Sequence, residues 1–145
     1  KRKYTMSTYK ENYLVYQCML NAGQHNYIND NPDSDMANAY FAIKSLFGGD
    51  AEHLMINAME YGMYKPTMLM SIYEAHERGT YEKLWAEGND EGSAALAVSV
   101  DRKDLRKHPS LSIGDVIVRL LTGDVHIVLP VGFMQVNVEL ALQSI

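Results

Sequence analysis

The stretch Asp115-Val-Ile-Val-Arg-Leu-Leu-Thr-Gly-Asp-Val-His-Ile-Val-Leu129 decides the fold class. Two runs rich in Val and Ile flank Thr122-Gly123, and β-branched residues on either side of a Gly-containing turn predict a β-hairpin. Pro130 interrupts it, and Val131 to Val138 can supply a third strand. Upstream, Ala94 to Val100 reads as a strand with Leu96, Val98 and Val100 on one face, and the charged stretch Asp101 to His108 reads as a solvated connector closed by Pro109. Tyr64 to Glu74 fits a strand in length and boundaries. Thr80, Tyr81, Leu84 and Trp85 fit a short helix capped by Thr80 and stopped by Gly88.

Before residue 62 the apolar spacing changes to that of helices. Met36, Ala39, Tyr40, Ile43 and Phe47 form the cleanest stripe, opened at Asp33 or Ser34 and closed by Gly48-Gly49. Asp50 can cap the next helix, with Leu54, Ala58 and Tyr61 on its inner face. Tyr9, Tyr13, Tyr16 and Leu20 also recur at helical spacing, behind a Thr8-x-x-Glu11 capping box and ahead of Gly23. That segment predicts a first helix, although its tyrosines and valine also suit a strand. From Gln24 to Asn31 the chain is polar, Asn31-Pro32-Asp33 reads as a turn, and Glu139 to Ile145 as a short helix or tail. The expectation is an α+β fold, one domain over 1–145: a mainly helical part, 1–62, packs on a small antiparallel β-sheet or partial barrel formed by 63–145.

Composition narrows the function. With 145 residues, 47% apolar and 21% charged, the chain is an ordinary folded protein, and no apolar run approaches the roughly 18 to 20 residues that cross a bilayer. A single cysteine, Cys18, is what a reducing compartment tolerates, so a soluble, unexported, cytoplasmic protein without a membrane partner is expected. The net charge of −5 gives no general attraction for phosphate backbones. The basic group Arg102, Lys103, Arg106 and Lys107 is the best nucleic-acid contact, but Asp101 and Asp104 interrupt it, so nucleic acid is not the favoured partner.

Signatures of catalysis are missing. Gly-x-Ser-x-Gly, a P-loop and a dinucleotide fingerprint are absent from the sequence, and Cys18 has no neighbouring His. The five histidines include no pair three to five residues apart, so neither a metal nor another cofactor is expected. Glu74, His76 and Glu77 read as a polar bend, which could do acid–base work only if a cleft gathered them. Ten tyrosines and nine methionines supply adaptable apolar contact area. Met55, Met59, Tyr61, Met63, Tyr64 and Met68 are therefore expected to reach a partner surface or a homo-oligomer interface.

The passage Pro109-Ser110-Leu111-Ser112-Ile113-Gly114-Asp115-Val116-Ile117-Val118, with Gly132-Phe133 after it, resembles the ending of small phage and mobile-element proteins that include the YodL-like modules. The likeness covers about the last half of the chain. His108-Pro109 stands where those proteins often carry a further basic residue, which weakens an inherited phosphate role. The resemblance implies an accessory protein that binds a host macromolecule and modulates it, without naming a chemistry. An RNA- or DNA-binding module is a second reading. A third is a small enzyme for a nucleotide or metabolite, with Tyr, Glu and His contributed across subunits. Ser110, Ser112, Gly114 and Asp115 themselves read as structure, with Gly114 at positive φ before the strand and Asp115 accepting N–H bonds.

Overall fold

The computed structural model describes residues 10–89, 100–105 and 109–140. These form one open six-stranded sheet and four helices, an α+β arrangement. In chain order they are β1 (Glu11–Cys18), α1 (Ala22–Asp30), α2 (Asp35–Lys44), α3 (Ala51–Glu60), β2 (Tyr64–Ile72), α4 (Thr80–Gly88), β3 (Val100–Asp104), β4 (Val116–Arg119), β5 (Val125–Val128) and β6 (Phe133–Val136). Every neighbouring pair in the order β3-β2-β1-β4-β5-β6 is antiparallel.

The first predicted helix is instead β1, which lies inside the sheet between β2 and β4. The strand that its tyrosines and valine also suit is what forms, and the helical spacing misled for a physical reason. Tyr13 and Val15 enter one core while Leu14, Tyr16 and Cys18 enter the other, so burial on both faces erases the two-residue alternation that marks a half-exposed strand. The sheet is thus not confined to the C-terminal part, nor is it closed into a barrel. The polar stretch Gln24 to Asn31, for which the sequence predicts no element, forms most of α1, which buries only Ile28. Its signal is an Asn21-x-x-Gln24 capping box, in which the Asn21 side chain accepts from the Gln24 N–H and the Gln24 side chain accepts from the Asn21 N–H.

Asp101 to Asp104, expected as connector, pair with β2 as an edge strand, and Ala94 to Ser99 lie outside the described residues, as do Arg106, Lys107, His108 and 141–145. Ser34 caps α2 as expected, but the helix stops at Lys44 and leaves Phe47 88% exposed. Gly79, at φ +90, rather than Thr80, opens α4.

Two cores sandwich the sheet. On one side Ile43, Met55 and Ala58 from α2 and α3 share a cluster with Leu14, Tyr16, Val116, Val118, Val125, Ile127 and Val136. On the other, Leu84 of α4 joins Tyr13, Val15, Met68, Met70, Ile72 and Ile117.

The Ser112-Ile113-Gly114-Asp115 turn ties these layers together. The Asp115 carboxylate, 1% exposed, accepts the Cys18 N–H (2.9 Å), the Ser112 N–H (2.8 Å) and the Gln17 amide (3.3 Å), while Lys44 Nζ lies 3.8 Å away. Gly114 takes φ +92, and its carbonyl accepts the Tyr64 hydroxyl at 2.6 Å. A Cβ there would sit 2.7 Å from the Ile43 carbonyl oxygen, so the turn and the end of α2 approach to a distance that only glycine permits. Gly114→Val should therefore lower stability by about 3 kcal/mol or more, from positive-φ strain plus displacement of α2. Thermal unfolding followed by circular dichroism checks this, and an unchanged Tm would show that the turn relaxes without cost.

Candidate functional site

The structure places the expected contact residues mostly in the interior. Met55 and Met63 are fully buried in one core and Met68 in the other, on opposite sides of the sheet. Met59, Tyr61 and Tyr64 are partly buried against the first core. The six therefore form no common surface, because unbranched methionine here fills the irregular gaps between helix and sheet. Ser112, Gly114 and Asp115 form the structural turn described above, the Ser110 carbonyl accepts from Gln17 at 3.2 Å, and Gly132 turns the chain into β6 at φ +78. Of the basic group, Arg102 donates to the Glu87 carbonyl at 2.5 Å and pairs with Asp104 at 3.3 Å, and Lys103 is exposed on β3.

A different constellation gathers on the face that carries α4. Glu11 and Tyr13 come from β1, Arg119 from the end of β4, His126 from β5, Phe133 from β6, His76 from the β2–α4 loop and Tyr81 from the first turn of α4. Register explains part of this convergence. Tyr13 pairs with Arg119, and His126 pairs with Gln135 on one side and with core residue Ile117 on the other. The loop is fixed locally, since Thr80 Oγ1 accepts the Glu77 N–H at 3.0 Å and Lys83 pairs with Glu74 at 2.9 Å.

Glu11, 3% exposed, accepts Arg119 Nε at 2.8 Å and Nη2 at 2.6 Å, a bidentate pair, and also the His76 backbone N–H. The guanidinium holds the Glu11 carboxyl below the usual carboxylate range, and in return Glu11 raises the Arg119 pKa. The buried Tyr13 hydroxyl is hydrogen-bonded to His76 Nδ1. Tyr81 stacks on His126 with ring centroids 4.0 Å apart, meets His76 and Tyr13 edge-on at 5.3 and 6.0 Å, and lies 5.8 Å from Phe133.

Burial sets the ionisation here. It lowers the pKa of both His76 and His126, with Arg119 adding to the effect at His76, and pushes the Tyr81 hydroxyl up to about 12. At neutral pH the cluster thus holds two neutral imidazoles and the Tyr81 phenol beside the paired Arg119. Cys18, in the opposite core, is likewise held as a thiol, its pKa pushed up to about 12 by burial.

The five accessible members are Tyr81, His76, His126, Arg119 and Phe133, each part-exposed, and together they make a surface patch. A hollow of about 990 Å³ is lined by Val118, Val125 and Val136 of the α2–α3 side together with Glu52, Asp124 and Gln135. Among the described residues no group of three His, Cys, Asp or Glu could hold a metal, and no helix is long and apolar enough to cross a membrane. No protein family, curated protein or solved structure matches this chain.

Because both imidazoles bind protons less readily in the folded chain than in the unfolded one, their contribution to stability is complete above about pH 6.5 and falls as pH drops through their lowered values. The fall in Tm between about pH 7 and 5 should be smaller in His126→Gln than in the wild type. Equal falls would place the His126 ring in ordinary solvent.

Proposed function

We propose that this chain is a non-catalytic accessory protein of phage type that acts in the host cytoplasm by binding and modulating a host protein, with the Tyr81–His126–Phe133–Arg119 patch as its contact surface. The observation that carries this reading is the patch itself, rigidly mounted aromatic rings and an arginine on a sheet face. Tyr and Arg are enriched among the residues that dominate binding energy, because they bury large area with few rotamers to order or with bidentate hydrogen bonds. Tyr81 is held on three sides by His126, His76 and Tyr13, so little side-chain entropy remains to be lost when a partner covers it.

The hydrogen bonds within the cluster support a binding role over catalysis. General acid–base work needs a proton-transfer group that faces substrate in a water-excluding cavity. Here both Glu11 oxygens face Arg119, and the Tyr13 hydroxyl faces His76. Glu11, Tyr13 and His76 do not line the hollow. A nucleic-acid partner ranks second. The net charge of −5 opposes it, and Arg102 and Lys103 are flanked by Asp101 and Asp104 along β3.

Affinity capture from host lysate, with and without nuclease, tests this reading. A specific host protein should be retained after nuclease treatment. Tyr81→Ala and Arg119→Ala should each weaken its capture by about tenfold or more, the ordinary scale for a dominant contact. Circular dichroism must show both variants folded. Capture that disappears with nuclease would promote the nucleic-acid reading, and capture indifferent to both substitutions would remove the patch from the interface.

A further inference from the structure

The two edges of the sheet differ in charge. Edge strand β3 carries Asp101, Arg102, Lys103 and Asp104 among its five residues, the kind of edge that resists pairing with another chain. Edge strand β6 reads Phe-Met-Gln-Val, and from Val125 to Val138 the sequence has no Asp, Glu, Lys or Arg. An uncharged edge presents unpaired N–H and C=O groups as a template for a further strand.

The phase of the β5–β6 ladder identifies which groups those are. The Leu129 N–H donates to the Gly132 carbonyl at 3.0 Å, and Ile127 pairs with Met134 and Val125 with Val136. In an antiparallel ladder the bonded residues alternate, so Gly132, Met134 and Val136 face β5, and the N–H and C=O of Phe133 and Gln135 face away from it. These four groups have no partner among the described residues. The next outward N–H, that of Asn137, is already donated to Glu52 Oε1 at 2.7 Å, which marks the end of the open segment.

We propose that β6 is a homodimer interface, pairing antiparallel with β6 of a second copy about a two-fold axis at Met134. The open segment is self-complementary. With Met134 opposite Met134 of the partner subunit, Phe133 faces Gln135 of the partner subunit and Gln135 faces Phe133 of the partner subunit. All four outward groups are then satisfied by four hydrogen bonds, and Asn137 needs none. A closed two-fold pairing joins the same patch on both subunits. The paired segment itself carries no charge, so no like charges oppose each other along it, whereas a charged partner peptide would find nothing complementary on β6. The side chains agree with this register. Phe133 and Gln135 lie on the Tyr81 face and Met134 on the face of the α2–α3 core, so the pairing continues both layers across the axis. It also brings two copies of the Tyr81 patch onto one twelve-stranded sheet, but it does not depend on the function proposed for that patch.

Sedimentation equilibrium on the full chain tests the proposal. The wild type should be a dimer at about 10 µM, a modest affinity for a short interface. Gln135→Pro removes an outward N–H and no bond to β5, so it should weaken dimerisation at least tenfold with the folded monomer retained. Gln135→Lys, which adds a charge to the edge without touching the backbone, should act in the same direction. Leu121→Asp, at a 66% exposed position in the β4–β5 turn, should leave the dimer intact. A wild type still monomeric at about 100 µM would overturn the proposal and leave the edge to another chain's strand. A dimer unaffected by either Gln135 substitution would overturn it as well, since two copies would then meet elsewhere.

Discussion

A single buried carboxylate, that of Asp115, joins two parts of this fold that lie 97 residues apart in the chain. Asp115 receives the backbone N–H of Cys18, at the end of β1, and that of Ser112, within its own turn. An ionised carboxyl in such a place is costly to desolvate, which is why burial raises its pKa despite Lys44 and the backbone donors that oppose the shift. The cost is offset by what the carboxylate organises. It positions the start of β4 beside the end of β1, and the same turn takes the Tyr64 hydroxyl on its carbonyl and lies against Ile43 of α2. Removing the side chain would leave the buried Cys18 N–H without its acceptor, a loss of about 1 to 3 kcal/mol.

The position of β1 follows from that connection and determines the character of the patch. Placed between β2 and β4, this strand has one face for each core, and its first residues, Glu11 and Tyr13, reach the α4 side just where β4 ends. The ion pair with Arg119 and the hydrogen bond to His76 satisfy polar groups that would otherwise be stranded at the rim of a hydrophobic layer. Tyr81 and His126 then cover them. The result is a surface whose rings are fixed from beneath by polar contacts, a property that belongs to assembled strands and to no single segment.

How much of this could be read in advance depends on burial. The terminal hairpin, its Thr122-Gly123 turn and the strand Tyr64–Ile72 were legible, because β-branched runs and turn residues act locally. Gly114 was legible too, since a positive φ before a strand is a demand of the backbone alone. Strand β1 was legible only as the alternative that its tyrosines and valine suit, because burial on both sides leaves no alternation to decide for it. The charges of Asp101 to Asp104 concealed an edge strand, for which charge serves as protection. The patch left only a faint trace. His76 stood out as a polar residue beside carboxylates, but its partners Glu11, Arg119 and His126 lie far away in sequence, and only the pairing of strands brings them together. The methionines misled for the converse reason, since the same adaptability serves a core and an interface.

The most direct measure of the account is native-state hydrogen exchange at the two amides that Asp115 accepts. Ser112 is exposed and lies in a turn, where an amide without a buried acceptor would exchange rapidly with solvent. If the carboxylate anchors the fold, the Ser112 amide exchanges as slowly as that of Cys18 in β1, and both open only with global unfolding. A Ser112 amide that exchanges at the rate of an ordinary surface loop, while Cys18 remains protected, would contradict the central place given to Asp115.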